Sequence, residues 1–318
     1  MNSRGAVMVW FTCILPFFLY SQTQVKSMED IRYPFAVKKI SLPNQVSIAY
    51  ADEGKGKTTL IFIHGLGSYL PAWKKVVDEL RQDYRCIVVD LPGYGKSGQG
   101  DWSYDMAFFA DCIEALVKKL KLRKVSLVGH SMGGQISLTL ALRQPQWLQK
   151  LVLLAPAGFE TFTEADRAWF TQYVTPAVFK ATPAAQIERN FDVNFYGAKM
   201  PTDARFMYED RLLMRETAEF DHYCNMIPKC VQGMLQQPVF EHLGEIKTPT
   251  LIFYGNEDLL IPNRILHPKL SVEAVAKQGQ QHIPNSQLVM VPQCGHFVLW
   301  DGAETVTSSI RTFLKTHQ

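Results

Sequence analysis

Residues Val125 to Leu142 impose a specific local geometry on any fold that contains them. The apolar, partly β-branched run Val125-Ser126-Leu127-Val128 passes directly into Gly129-His130-Ser131-Met132-Gly133, and Gln135 to Leu142 continues as a helix-compatible stretch. A strand that becomes a helix in so few residues holds Ser131 on a strained turn, so small residues must flank it on both sides. Its hydroxyl is then exposed at a helix N-terminus, beside a backbone N–H able to bind an oxyanion. A plain helix N-cap serine is the alternative, and the flanking glycines disfavour it.

A serine hydroxyl is a weak nucleophile at its own pKa and needs a base with a group to orient it. Two further strand-like runs end in suitable residues. Leu251-Ile252-Phe253-Tyr254 leads into Gly255-Asn256-Glu257-Asp258, and Leu288-Val289-Met290-Val291 leads into Pro292-Gln293-Cys294-Gly295-His296. Open α/β sheets place their sites beyond the C-terminal ends of strands, where all three side chains would then meet. We assign Ser131 as nucleophile, His296 as general base and then acid, and Asp258 as the carboxylate that fixes the imidazole tautomer. Glu257 is the rival acid; Pro156, Ala157 and Gly158, after another strand-like run, offer no carboxylate. Leu60 to Ile63 leads into His64-Gly65-Leu66-Gly67-Ser68, whose glycines allow close backbone approach. The expected oxyanion donors are the N–H groups of Leu66 and Met132. His64 and His130 read as hydrogen-bonded scaffold. The other histidines (His222, His242, His267, His282 and His317) lack metal-ligand spacing, so no metal or cofactor is expected.

Together these motifs resemble those of the α/β-hydrolases with a cap domain, from about Ile31 to the C-terminus. His64-Gly65-Leu66-Gly67 is similar to that family's oxyanion loop and Gly129 to Gly133 to its nucleophile elbow. Asp90-Leu91-Pro92-Gly93-Tyr94-Gly95-Lys96-Ser97 resembles the turn after its next core strand. Gly255 to Asp258 with Pro262 resembles the acid loop, and Cys294-Gly295-His296-Phe297 the histidine loop. The serine at the elbow sets the chain apart from relatives with an aspartate nucleophile. One departure is the stretch from Asn263 to Ser271, longer than the family's usual connection and placed to reshape one side of the site's mouth.

The rest of the chain fits an α/β architecture, a mostly parallel sheet with helices on both faces. Strands are expected at Val46 to Asp52, Thr59 to Ile63, Cys86 to Asp90 and Leu151 to Ala155, with helices at Trp73 to Arg81 and Tyr104 to Leu120. The alternation stops at Pro156. From Gly158 to Phe240 no strand-like run occurs while aromatics and methionines crowd in, which predicts an inserted α-helical cap. Core segments are therefore placed at 31–157 and 241–318, with the cap at 158–240. Most of the cap aromatics should form its core, and some should line an apolar acyl pocket.

Met1 to Arg4 is short and basic, Gly5 to Tyr20 almost wholly apolar, and Ser21 to Gln24 polar. This is the shape of a signal peptide at 1–21, implying export to a periplasm or the medium; an uncleaved membrane anchor is the alternative. The run falls short of the ~20 residues a membrane span needs. Of six cysteines, Cys13 lies within it; Cys86, Cys112, Cys224, Cys230 and Cys294 remain, an odd number and no disulfide framework. Cys224 and Cys230 are close enough to pair.

Basic and acidic residues nearly balance, 33 against 30, without a basic block, so nucleic acid is not an expected partner. Gly-Lys-Ser at 95–97 lacks the leading glycine of a phosphate-binding loop, since Asp90 stands there. The expected function is cofactor-independent serine hydrolysis of a small apolar ester. The alternatives are carbon–carbon hydrolysis of a vinylogous diketone and non-catalytic ligand binding on the same fold.

Overall fold

The computed structural model describes residues 25–315. Val37–Ser41 (β1) and Ser47–Glu53 (β2) pair antiparallel at one side of the sheet. Thr59–Ile63 (β3), Lys74–Leu80 (α1), Arg85–Val89 (β4), Met106–Lys119 (α2), Val125–His130 (β5), Met132–Leu142 (α3) and Leu148–Leu154 (β6) then alternate. The strand order is β1-β2-β4-β3-β5-β6, followed by two later strands. From β4 onward neighbouring strands run parallel. Every residue of β3 and β5 is buried, as continuous apolar runs between two helical layers require. The outer strand β1 was not expected: three of its five residues are exposed, which leaves little periodic signal.

Local chemistry sets the helix ends. In α2 the Asp105 carboxylate caps the start by accepting from Phe108 N at 2.8 Å, and Lys118 and Lys119 complement the C-terminal dipole. Met106, Phe109, Ile113, Leu116 and Val117 recur at helical spacing and are buried.

Past β6 the described chain is helical until the sheet resumes. Glu164–Tyr173 (α4), Pro176–Ala181 (α5), Ala184–Asp192 (α6), Phe206–Met214 (α7) and Glu219–Gln236 (α8) form a helical insertion over the C-terminal strand ends. Neither α4 nor α5 has a fully buried residue, whereas α8 buries Tyr223, Cys224, Met226, Ile227 and Cys230. The insertion is thus anchored by α8 and lightly packed at α4 and α5. Thr250–Gly255 (β7), Val272–His282 (α9), Ser286–Val291 (β8), Val298–Asp301 (α10) and Ala303–Lys315 (α11) complete the fold.

Cys86, Cys112, Cys224, Cys230 and Cys294 are all buried and unpaired. The segment read as a signal peptide lies outside the described residues. Among the described residues no helix is long and apolar enough to cross a membrane.

Candidate active site

The loops that end β3, β5, β7 and β8 meet at one edge of the sheet. Ser131 joins β5 to α3 at φ 53° and ψ −119°, a backbone state that L residues rarely adopt and that costs about 1–3 kcal/mol. The surroundings hold it there. Ser131 N donates to Leu154 O at 3.0 Å, and Ser131 O accepts from Gly134 N at 2.8 Å and Ala157 N at 3.0 Å. A Cβ on Gly129 would lie 2.3 Å from Gly133 O, and one on Gly133 only 2.1 Å from Ile63 O. Close backbone approach therefore dictates both glycines.

His296 is buried, and its Nδ1 lies 2.7 Å from Asp258 Oδ2. The other oxygen, Oδ1, accepts from Leu260 N at 2.8 Å and Ile261 N at 3.0 Å. Asp258 is fully buried while Glu257 is exposed, so only Asp258 faces the imidazole. Ser131, His296 and Leu66 line one cavity of about 540 Å³. Met132 opens α3, where the first N–H groups have no carbonyl partner within the helix.

His64 and His130 hold this geometry. His64 Nε2 accepts from Leu91 N at 3.0 Å, so its Nδ1 carries the hydrogen and donates to Gly65 O at 2.9 Å. The same carbonyl accepts from Ser68 N at 3.2 Å, which fixes the Gly65–Leu66 peptide plane and the direction of Leu66 N–H. His130 Nε2 donates to His296 O at 3.0 Å and pins the histidine loop.

Both histidines are neutral in the fold. Burial pushes His64 down to about 4, and burial together with the neighbouring His296 holds His130 well below the usual imidazole range. A histidine with a depressed folded pKa binds its proton more readily in the unfolded chain, so its contribution to stability rises with pH through that window. Asp90 and Asp210, both pushed up to about 6 chiefly by burial, slope the opposite way. The histidine effect is therefore read as a difference. The stability gap between wild type and His64→Gln should widen by about 3 kcal/mol from pH ~4 to ~6.5 in denaturant unfolding. A gap independent of pH would rule out the neutral, buried assignment.

The insertion contributes directly to the site. Phe297 N donates to Asn194 O at 2.8 Å, and Asp301 Oδ2 accepts from Tyr196 N and Gly295 N at 2.8 and 2.9 Å. Phe162, Phe170 and Met234 line the cavity beside Ser131. Tyr173, Phe179, Phe191, Phe220 and Tyr223 instead line a second cavity of about 410 Å³, and the two cavities share Leu66, Asn194 and Phe297. Phe159 and Phe195 are core. Asn263, at the start of the long stretch after Pro262, lines the cavity together with Glu160, which accepts from Asn263 N at 2.8 Å and lies 2.5 Å from His267 Nδ1. Sequence reasoning missed Glu160, Tyr69, Asp210 and Arg211. Asp210 and Arg211 sit on a helix and look like a solvated face, while Tyr69 and Glu160 lie singly in loops, so no signal singled them out.

A family model described as the alpha/beta hydrolase fold matches residues 58–303. The chain belongs to the alpha/beta hydrolase family. The hydrolase is 28% identical over 284 residues to a 2-hydroxy-6-oxononadienedioate/2-hydroxy-6-oxononatrienedioate hydrolase of Pseudomonas putida, covering 86% of this chain and 93% of that one. Among solved structures, an esterase from Exiguobacterium antarcticum superimposes with a TM-score of 0.72 at 21% identity, over 88% of this chain and 100% of its own. A meta-cleavage product hydrolase from Pseudomonas fluorescens IP01 gives 0.70 at 22%, over 88% and 98%. At such identities the two structures establish the hydrolase's fold and nothing finer.

Proposed function

We propose that the hydrolase is a cofactor-independent serine enzyme that cleaves carboxylic esters with an apolar acyl group. One observation carries this reading: Ser131, on its strained turn, and His296, bonded to the buried Asp258 carboxylate, open onto the same largely apolar cavity. Ser131 Oγ attacks the ester carbonyl as His296 Nε2 takes its proton, and the Leu66 and Met132 N–H groups receive the oxyanion. His296 then protonates the leaving alcohol, and water activated by the same imidazole releases the acid. Asp258 holds Nδ1 protonated throughout, leaving Nε2 as the base.

In this reading the insertion α4 to α8 acts as a cap, with Phe162, Phe170 and Met234 against the acyl group. The apolar run near the N-terminus supports export, or a membrane anchor if it is retained. Carbon–carbon hydrolysis is the second reading, supported by the name of the Pseudomonas putida relative.

Turnover of p-nitrophenyl esters across acyl chain lengths tests the proposal. We expect turnover with a clear optimum in chain length, set by the cavity beside Ser131. Folded protein that hydrolyses none of the series, yet cleaves a vinylogous diketone, would replace the esterase reading with the second one.

A further inference from the structure

The second cavity contains an arrangement that the proposed chemistry does not yet use. Asp210 and Arg211 are consecutive residues of α7, in the helical insertion. Both reach down to the loop that follows β3. Arg211 Nη2 donates to Gly67 O, and Asp210 Oδ2 accepts from Tyr69 OH at 2.5 Å. Arg211 is itself held from above: Nη1 donates to Tyr223 OH at 2.5 Å, and the guanidinium stacks 4.3 Å from the Tyr223 ring centre. Among the described residues Arg211 has no carboxylate ion-pair partner. Its fork is occupied by a neutral carbonyl and a phenol, so what it supplies is geometry rather than charge neutralisation.

The gripped loop carries Leu66, whose N–H is the proposed oxyanion donor. From below, Gly65 O is fixed by His64 and Ser68 N. The core side also holds this segment, through Gly67 N–H on Tyr94 and Leu70 N on Asp90 Oδ1 at 2.7 Å, but among the described residues only Arg211 of α7 bonds Gly67 O. We propose that Asp210 and Arg211 are positioning residues, a two-point clamp that holds residues 67–69 so that Leu66 N–H stays aimed at the oxyanion. The oxyanion hole is then complete only when the insertion is seated on the sheet. The inference rests on the serine-hydrolase reading for its catalytic consequence, but not for the clamp itself.

The test uses Arg211→Met from the insertion side and Tyr69→Phe from the loop side, each in the full chain. The first readout is amide exchange of the 65–70 segment. Both variants should accelerate it at least about tenfold, with melting temperatures close to wild type. The second is ester kinetics. Loss of one oxyanion donor lowers kcat by about 10²–10³-fold, and a loosened donor should lower it by about tenfold or more, with KM for a short ester little changed. The third is an alkylboronic acid, which adds to Ser131 Oγ as a tetrahedral borate. Its affinity should fall in step with kcat/KM, while that of a carboxylic acid product should not. The double variant should lose less than the sum of the two single effects.

Unchanged exchange at 65–70 in both variants overturns the clamp. Faster exchange with kcat and boronate affinity intact overturns its role in the oxyanion hole. Wild-type protein that turns over no ester overturns the esterase reading alone; exchange then decides the clamp by itself.

Discussion

Replacing Ser131 with alanine should lower ester turnover by about 10⁴–10⁶-fold while leaving the fold nearly unchanged. The contrast follows from the geometry. The strained backbone at position 131 is held by main-chain bonds to Leu154, Gly134 and Ala157, none of which involves Oγ. The Ser131 side chain makes no cap bond to α3, so alanine removes no helix cap. Stability should therefore shift by less than about 1 kcal/mol, as for a substitution that breaks no buried bond. Steady-state kinetics with p-nitrophenyl esters and a thermal melt give both numbers. Residual turnover above a few per cent of wild type would show that the ester is cleaved without Ser131.

Asp258→Asn should reduce kcat by about 10⁴-fold at neutral pH, and the bonding around the carboxylate explains why. Oδ1 accepts two backbone N–H groups, from Leu260 and Ile261. An asparagine side chain keeps those bonds only with its carbonyl oxygen in that position. Its NH₂ then faces His296 Nδ1, where the aspartate offered an acceptor. A donor there requires Nδ1 to accept, so the ring proton moves to Nε2 and the base disappears. Glu257→Gln serves as the control, since Glu257 is exposed and does not face the ring. A larger loss of kcat in Glu257→Gln than in Asp258→Asn would transfer the acid role.

Much of the scaffold was legible because its signals are local. β3 spans Thr59–Ile63, the run expected for it, and α2 lies within the expected Tyr104 to Leu120. The five helices α4 to α8 occupy the stretch where no strand pattern appears. Less local features were harder to read. β1 is largely exposed and offers only five residues of weak alternation. α9 starts at a Ser271 cap and buries Val275, Ala276 and Gly279 on one face, a pattern too sparse to mark its C-terminal end at His282. The aromatics of the insertion could be counted but not sorted. Phe162 faces the cavity beside Ser131, whereas Phe195 is core, and only the packing of helices on the sheet separates them.

The sequence by itself determined the strand-to-helix turn at Ser131, the parallel sheet and the break where the helices are inserted. Each of these follows from dihedral preference, residue size and periodicity within a few neighbouring residues. Only the tertiary structure decided between Asp258, whose buried carboxylate meets His296 across 38 residues, and its exposed rival Glu257, and showed that the space under the insertion divides at Leu66 and Phe297. The grip of Asp210 and Arg211 on the loop after β3 belongs to the same class. Such contacts depend on which buried faces meet once loops of many residues have closed, and short-range pattern carries no information about that choice.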